Sequence, residues 1–283
     1  MKRILSTIGF CMLICISFVY TEKAANLVVQ KDDLMMTIND SSSNYEIAPI
    51  DGVINENTFI PGINGIKVNN KESYKEMKKY GKFSDNLLKF IQIEPKNKLK
   101  DNYDKYIISG NSNKKEISII LLVNGDDNID NILKIVENKN ISINFFVDGY
   151  WFESNNSMIE SLIEKNHIIG NLSYNLDYQD GAFVWIDTII KRIGKQKIGY
   201  CYAEKENEDS LKVCSLNKNY TIKPNIIIKD NYMKNIKEKI TNGSIISFDM
   251  NNSLEQELPV IINYINSKGY SIVSLPKLLS EER

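Results

Sequence analysis

The chain has 283 residues, a net charge of −1, 42% hydrophobic and 25% charged side chains, the balance of a globular protein able to bury a real core. The absence of basic bias excludes a nucleic-acid-binding protein, and no long charged block marks an interaction tail. The abundance of Ile, Asn and Lys reads as coding bias and not as function.

The N-terminus, MKRILSTIGFCMLICISFVY, joins a basic start to an apolar stretch from Ile4 to Tyr20. That pattern predicts a signal peptide or an N-terminal membrane anchor within residues 1–25, at the short end of what spans a bilayer. Ala24 and Ala25 offer cleavage positions, but Glu22 and Lys23 stand where a second small residue is wanted. Neither Cys11 nor Cys15 follows a small residue, as a lipidation site requires. Nothing later reads as a membrane span, so the rest is expected to be extracytoplasmic, secreted or anchored through this segment.

Residues 26–115 are expected to form a tether and a small α+β appendage. Residues 26–44 are polar and weakly patterned. IDGVINENTFIPGINGIKVNN reads as loops with short strands, and KESYKEMKKY as a helix stopped at Gly81, followed by a short helix capped by Ser84.

From Glu116 the pattern changes. ISIILLV is a continuous apolar run, as in a strand covered on both faces. NIDNILKIVENKN reads as helix, ISINFFV as strand, SMIESLIEKN as helix and HIIGNLS as strand. FVWIDTIIKRIG, LKVCSLN, YMKNIKEKI and LEQELPVIINYINSKG then read as helices between strands KIGYCYA, TIKPNIII, GSIISF and YSIVSL. Alternating strands and helices predict an α/β domain of parallel strands over residues 116–283. About seven units predict a distorted (β/α) barrel, with any site where strands end and βα loops begin. In an exported chain Cys201 and Cys214 are candidates for a disulfide, if their geometry permits one.

NILKIVENKNISINFFVDGYW, MIESLIEKNHIIGN, NGSIISF and LPVIINYINSKGYSIVSLPKLL resemble, in order and spacing, the polysaccharide deacetylase (NodB-homology) domain of carbohydrate esterase family 4. The resemblance covers residues 116–282 and implies a NodB-like barrel. Members of that family hydrolyse N-acetyl groups on chitin or peptidoglycan sugars. One divalent metal, often zinc, is held by an Asp and two His and activates water. A second Asp is the base and a late His the acid. This implies a TFDDG motif after the first strand and HxxxH after the third.

Carried onto this chain, the Asp pair falls on Leu122 and Val123, and the two His ligands on Leu172 and Leu176. The Arg of a later motif falls near Cys201, and the late His on Asp249. The one histidine, His167, matches the His of the family phrase GHEIGN, which is not a ligand. It is expected to pack at a strand edge or make one hydrogen bond. Sliding Asp126 and Asp127 into register would severely shorten the following loop. The resemblance thus implies a deacetylase-like protein without metal, cofactor or catalytic residues, since apolar side chains ligate no cation.

The expected role is a non-catalytic module holding a cell-wall glycan or an envelope protein. The rival is an active hydrolase on rebuilt carboxylates, drawn from Asp126, Asp127, Asp148, Asp177, Asp180 and Asp249, through a cation or a carboxylate pair. Tyr150, Trp151, Tyr174, Tyr178, Trp185, Tyr200 and Tyr202 lie near the expected rim. Of these, Trp151, Tyr174 and Tyr178 are the candidate glycan-binding surface.

Overall fold

The structure, a computed structural model, describes residues 11–21, 29–30, 32–178, 180–194, 196 and 198–283. The chain divides into two compact units. One takes the described residues up to Pro49 with Asn64–Ile93 and Arg283, the other Ile50–Ile63 with Glu94–Glu282.

The larger unit is built on one curled sheet. Its strands are β1 (Val53–Asn55), β2 (Thr58–Ile60), β3 (Tyr106–Ile107), β4 (Glu116–Val123), β5 (Asn144–Val147), β6 (Ile168–Asn171), β7 (Gly199–Tyr202), β8 (Asn219–Ile222), β9 (Ile226–Ile228), β10 (Ile245–Asp249) and β11 (Ser271–Ile272). They run β1-β2-β3-β8-β7-β6-β5-β4-β10-β9, with β11 added to β4 outside this path. Every pairing except β1–β2 is parallel. Helices α1 (Asp130–Asn138), α2 (Gly149–Ser154), α3 (Asn156–Glu164), α4 (Asp180–Ile193), α5 (Glu208–Leu216), α6 (Tyr232–Lys239), α7 (Asn252–Ser267) and α8 (Leu275–Leu279) complete the expected distorted (β/α) barrel.

Side chains alternate across each strand. On β4, Ile117, Ile119, Leu121 and Val123 join the core between sheet and helices, with Phe145, Val147, Ile246 and Phe248. Ile120 and Leu122 join an inner core with Phe146, Leu172, Tyr200, Tyr202, Tyr220, Ile222 and Ile245. Leu275, Leu278 and Leu279 of α8 belong to this inner core as well. Buried Asn144 ties α8 to the strands. Its Nδ2 donates to Ser118 Oγ at 2.8 Å and Ile119 O at 2.7 Å, and its Oδ1 accepts from Leu275 N–H at 2.8 Å. Such a group is tolerated inside because its polar atoms find partners.

Three expectations need correction. The run TIKPNIII is two strands, β8 and β9, broken where Pro224 removes a backbone donor. They lie on different arms of the sheet, so the barrel is split here and not closed. The expected boundary at residue 116 also fails, because β1, β2 and β3 extend the barrel sheet beyond β8. Lastly, the expected tether contains a helix, Asp33–Ser42, whose N-cap Asp32 accepts from Leu34 N–H at 3.0 Å. Its Met35 and Ile38 are buried in a small core with Val68, Tyr74, Met77 and Leu88.

Within the leader, residues 11–21 are helical and expose Met12, Leu13, Ile16 and Phe18. The start of the apolar stretch and the candidate cleavage positions lie outside the described residues. Among those described, no helix is long and apolar enough to cross a membrane.

Cys201 of β7 and Cys214 of α5 form a disulfide, 13 residues apart, with Cα atoms 6.4 Å from each other. It pins α5 to the sheet. Opening a loop of this length costs about 3 kcal/mol in the chain-entropy account. Urea unfolding with and without reductant should show a loss of that order, and the Cys201→Ser/Cys214→Ser double variant should reproduce it. Unchanged midpoints would mean the crosslink contributes nothing to stability.

Candidate functional site: the mouth of the barrel

Parallel strands end together, and here the ladder continues one step beyond them. Asp148 N–H donates to Val123 O at 3.0 Å, and Leu172 N–H to Val147 O at 3.0 Å. Leu122 pairs in register with Asp249 on one side and Phe146 on the other. Leu122 is 6% exposed and Leu172 1%, and both belong to the inner core with Phe146 and Tyr202.

The four positions matched to ligands and base therefore lie at one end of the barrel, but not in one environment. Val123, expected beside Leu172, faces the helices on the opposite side of the sheet. Adjacent residues of a regular strand point to opposite faces, so Leu122 and Val123 cannot both face one cation. Leu176 N–H donates to Leu172 O at 3.1 Å, so these two sit one turn apart, as an HxxxH pair would. Yet Leu176 is 41% exposed and holds a left-handed backbone, φ 62°.

Asn124, which went unnoticed in the sequence, is the exposed residue that follows Val123, and Gly125 turns the chain at φ 54°. Anchoring TFDDG on Gly125 moves the Asp pair to Val123 and Asn124. That glycine was the available signal. Neither register supplies a carboxylate.

The nearby carboxylates are dispersed. Asp126 and Asp177 are exposed. Asp127 is half-buried and accepts from Asn124 N–H at 2.8 Å. Burial raises its pKa, opposed by that bond and reinforced by the charges of Asp148, Asp249 and Asp126. Asp148 is 2% exposed and caps α2, accepting from Trp151 N–H at 2.9 Å. Asp249 is half-buried; burial raises its pKa, and Lys229 draws it back down. The Asp180 side chain lies outside the described residues. Among the described residues no three His, Cys, Asp or Glu gather to hold a metal ion. The zinc implied by the resemblance therefore does not fit the side chains at this mouth.

Two of the three expected rim aromatics are not on the surface. Trp151 is 1% exposed and packs in the core, its Nε1–H donating to Asp127 O at 2.8 Å. Tyr178 is buried; its hydroxyl faces Asn171 O and Tyr202 O, each at 3.0 Å, and accepts from Tyr202 N–H at 3.0 Å. Both use their polar tip to tie a loop to the barrel while the ring fills the core. Tyr200 and Tyr202 line the lumen.

Of the seven aromatics expected near the rim, Tyr150, at 56%, and Trp185 are exposed. Tyr174 is half-buried, stacks edge-on against Tyr150 at 4.9 Å and hydrogen-bonds Glu153. Beside them a shallow cavity of about 370 Å³ is lined by Leu176, Tyr202, Glu204 and Lys205, among others. Glu204 reaches across to Lys229 at 3.0 Å.

At the position expected near the family arginine, Cys201 is consumed in the disulfide. His167 lies just before β6, at the far end of that strand. It is buried edge-on against Phe145 at 5.3 Å, and its Nδ1 accepts from Ile143 N–H at 3.3 Å.

No family model matches the chain. The chain is 25% identical to the uncharacterized protein YlxY of Bacillus subtilis (strain 168), covering 91% of this chain and 86% of that one. The fold matches wild-type BA3943, a CE4 family pseudoenzyme from Bacillus anthracis, with TM-score 0.66 and 24% identity over 89% of this chain and 97% of that one. A BA3943 mutant described as having restored enzymatic activity matches with TM-score 0.67 and 24% identity, over 89% of this chain and 100% of that one. The family 4 carbohydrate esterase PdaA of Bacillus subtilis matches with TM-score 0.55 and 18% identity, over 63% of this chain and 86% of that one. This chain thus has the fold of the family 4 carbohydrate esterases.

Leu172 and Leu176 should respond differently to substitution. Leu172→Ala opens the inner core and is expected to cost about 2–5 kcal/mol. Leu176→Asn removes an exposed side chain from a left-handed position that Asn adopts more readily, where the conformation costs other residues about 1–2 kcal/mol. It should leave stability unchanged or raise it. Urea midpoints measure both, and equal destabilisation by the two would contradict this placement.

Proposed function

We propose that the chain is a catalytically silent member of the family 4 carbohydrate esterases that binds, without cleaving, a cell-envelope glycan at the barrel mouth. The observation that carries this reading is the packing of Leu122 and Leu172 into one apolar core where the strands end. Activating water at neutral pH by the family's route needs a bound cation, and Asp249, in register beside Leu122, is the one carboxylate at these inward positions, too few ligands to hold one. The likeness to a protein described as a CE4 family pseudoenzyme supports the same reading. Binding is assigned to the mouth because ligands of such barrels meet the βα loops, where Tyr150, Tyr174 and Trp185 offer aromatic faces.

An extracytoplasmic location, secreted or anchored, is part of the proposal. It rests on the apolar N-terminal stretch and on the Cys201–Cys214 disulfide, a bond that persists in oxidising compartments. The rival reading, hydrolysis by rebuilt carboxylates, is disfavoured because Asp148 is committed to capping α2.

The test is metal content of the purified chain, with acetate release from N-acetylated glycan measured with and without chelator. The expected result is no stoichiometric zinc and no chelator-sensitive acetate. Either one, found in the unmodified protein, would overturn catalytic silence.

A further inference from the structure

The turn that closes the end of β4, Asn124–Gly125, carries a chemistry of its own. The side-chain amide of an asparagine is open to attack by the backbone nitrogen of the next residue, and a glycine there puts no side chain in the way. Both reacting atoms belong to the chain, so the rate depends on whether they can approach each other. The sequence has three Asn–Gly pairs: Asn64–Gly65, Asn124–Gly125 and Asn242–Gly243. By sequence the three are alike. The structure separates them.

Gly243 is buried and its N–H donates to Glu116 O at 2.9 Å, while Asn242 Nδ2 donates to Ser112 O at 2.7 Å. Both reacting groups are engaged. Gly65 is buried in a strand, in register with Ile93, and Asn64 Nδ2 donates to Gln92 Oε1 at 2.7 Å. Packing at these two glycines is close: a Cβ would lie 2.4 Å from Gly110 O at Gly243, and 2.4 Å from Ile47 O at Gly65. Asn124 and Gly125 are both exposed, and a Cβ on Gly125 would meet nothing within 4 Å beyond its chain neighbours. Among the described residues, neither the Asn124 side-chain amide nor the Gly125 N–H has a hydrogen-bond partner. The turn is held by other groups. Asp127 N–H donates to Asn124 O at 3.1 Å, and Asn124 N–H donates to Asp127 Oδ2 at 2.8 Å.

We propose that Asn124 is a site of spontaneous deamidation that remodels the barrel mouth, and that the fold protects the other two Asn–Gly pairs. Gly125 N loses its proton and bonds to Asn124 Cγ. The Cγ–Nδ2 bond breaks, ammonia leaves, and a succinimide ring closes. Solvent water then opens the ring at either carbonyl. Opening at Cγ leaves aspartate at position 124, and opening at the backbone carbonyl leaves isoaspartate. Either product adds a negative charge beside Asp126 and Asp127, whose repulsion weakens the turn. In isoaspartate the chain runs through the former side chain. The loop between β4 and α1 gains a methylene, and the carbonyl that accepts from Asp127 N–H becomes a free carboxylate. The new carboxylate stands where TFDDG anchored on Gly125 has its second Asp, but alone it holds no metal. The change is therefore one of charge and loop geometry, and it does not depend on what the mouth binds.

The test is incubation of the purified full chain at neutral pH, folded and in urea, followed by digestion and mass spectrometry of the peptides holding Asn64, Asn124 and Asn242. An isoaspartate-specific methyltransferase detects the isomerised product. In the folded protein Asn124 is expected to convert at least about tenfold faster than the other two, since only there are both atoms free to approach. The product should be a mixture of aspartate and isoaspartate, formed faster as pH rises because the attacking nitrogen must lose its proton. In urea the three sites should convert at comparable rates. Gly125→Ala has room for its methyl group and should slow conversion of Asn124 about tenfold, with thermal unfolding checking the fold because the position holds φ 54°. Asn64 or Asn242 keeping pace with Asn124 in the folded protein would overturn the assignment. So would an Asn124 that converts in urea but not in the folded chain. An unchanged rate in folded Gly125→Ala, or the absence of isoaspartate, would overturn the succinimide route.

Discussion

A strand in a curled barrel sheet offers one inward position for every two residues, and the inward positions at the mouth decide what this protein can bind there. Here they are Leu122, Phe146, Tyr202 and Asp249, with Leu172 one step past β6. A metal-dependent hydrolase needs several of these positions to be polar, and the metal is what makes that polarity tolerable. Without it, neighbouring carboxylates and imidazoles would be left desolvated and uncompensated. Leucine reverses the sign: burying each side chain stabilises by about 1.5–3 kcal/mol. Loss of the ligands and retention of the fold are thus two consequences of one packing choice. Asp249 can remain a carboxylate because it is only half-buried and Lys229 draws on its charge.

The loop after β6 shows what survives when the ligands are gone. Asn171 is buried, its amide donating to Phe183 O at 3.1 Å and its side-chain oxygen accepting from Ser173 N–H at 2.7 Å. Tyr178 bonds across to β7. Between these anchors Ser173, Asn175 and Leu176 all adopt positive φ. Non-glycine residues in that region are strained and persist only where the surroundings hold them. The side-chain bonds of Asn171 and Tyr178 are those surroundings here.

Much of the barrel was legible because buried parallel strands write continuous apolar runs, as in ISIILLV and SINFFV, and amphipathic helices separate them. The degenerate site was legible from identity alone: no spacing can turn Leu172 into a ligand. What could not be read depended on direction and on weak local signals. Val123 and Leu122 are equally apolar, and only strand parity shows which faces the lumen. Trp151 and Tyr178 occupy loop positions where a ring can turn outward or inward; a carbonyl within reach of each polar tip decided for inward. β1, β2 and β3 are two or three residues long and set among Gly, Asn and Pro. Their membership of the barrel sheet is a tertiary fact with little sequence signature. The helix Asp33–Ser42 buries only Met35 and Ile38, too few positions to establish a period.

The extent of the fold likeness adds a further step. PdaA matches over 63% of the chain, whereas BA3943 matches over 89% of it. The fold likeness to BA3943 thus extends over more of the chain than the likeness to PdaA. The unit outside the barrel has its own core of Met35, Ile38, Val68, Tyr74, Met77 and Leu88. Within the barrel, the leucine-packed lumen, the loop anchored by Asn171 and the disulfide fix the shape of the mouth through packing and bonds of the chain itself.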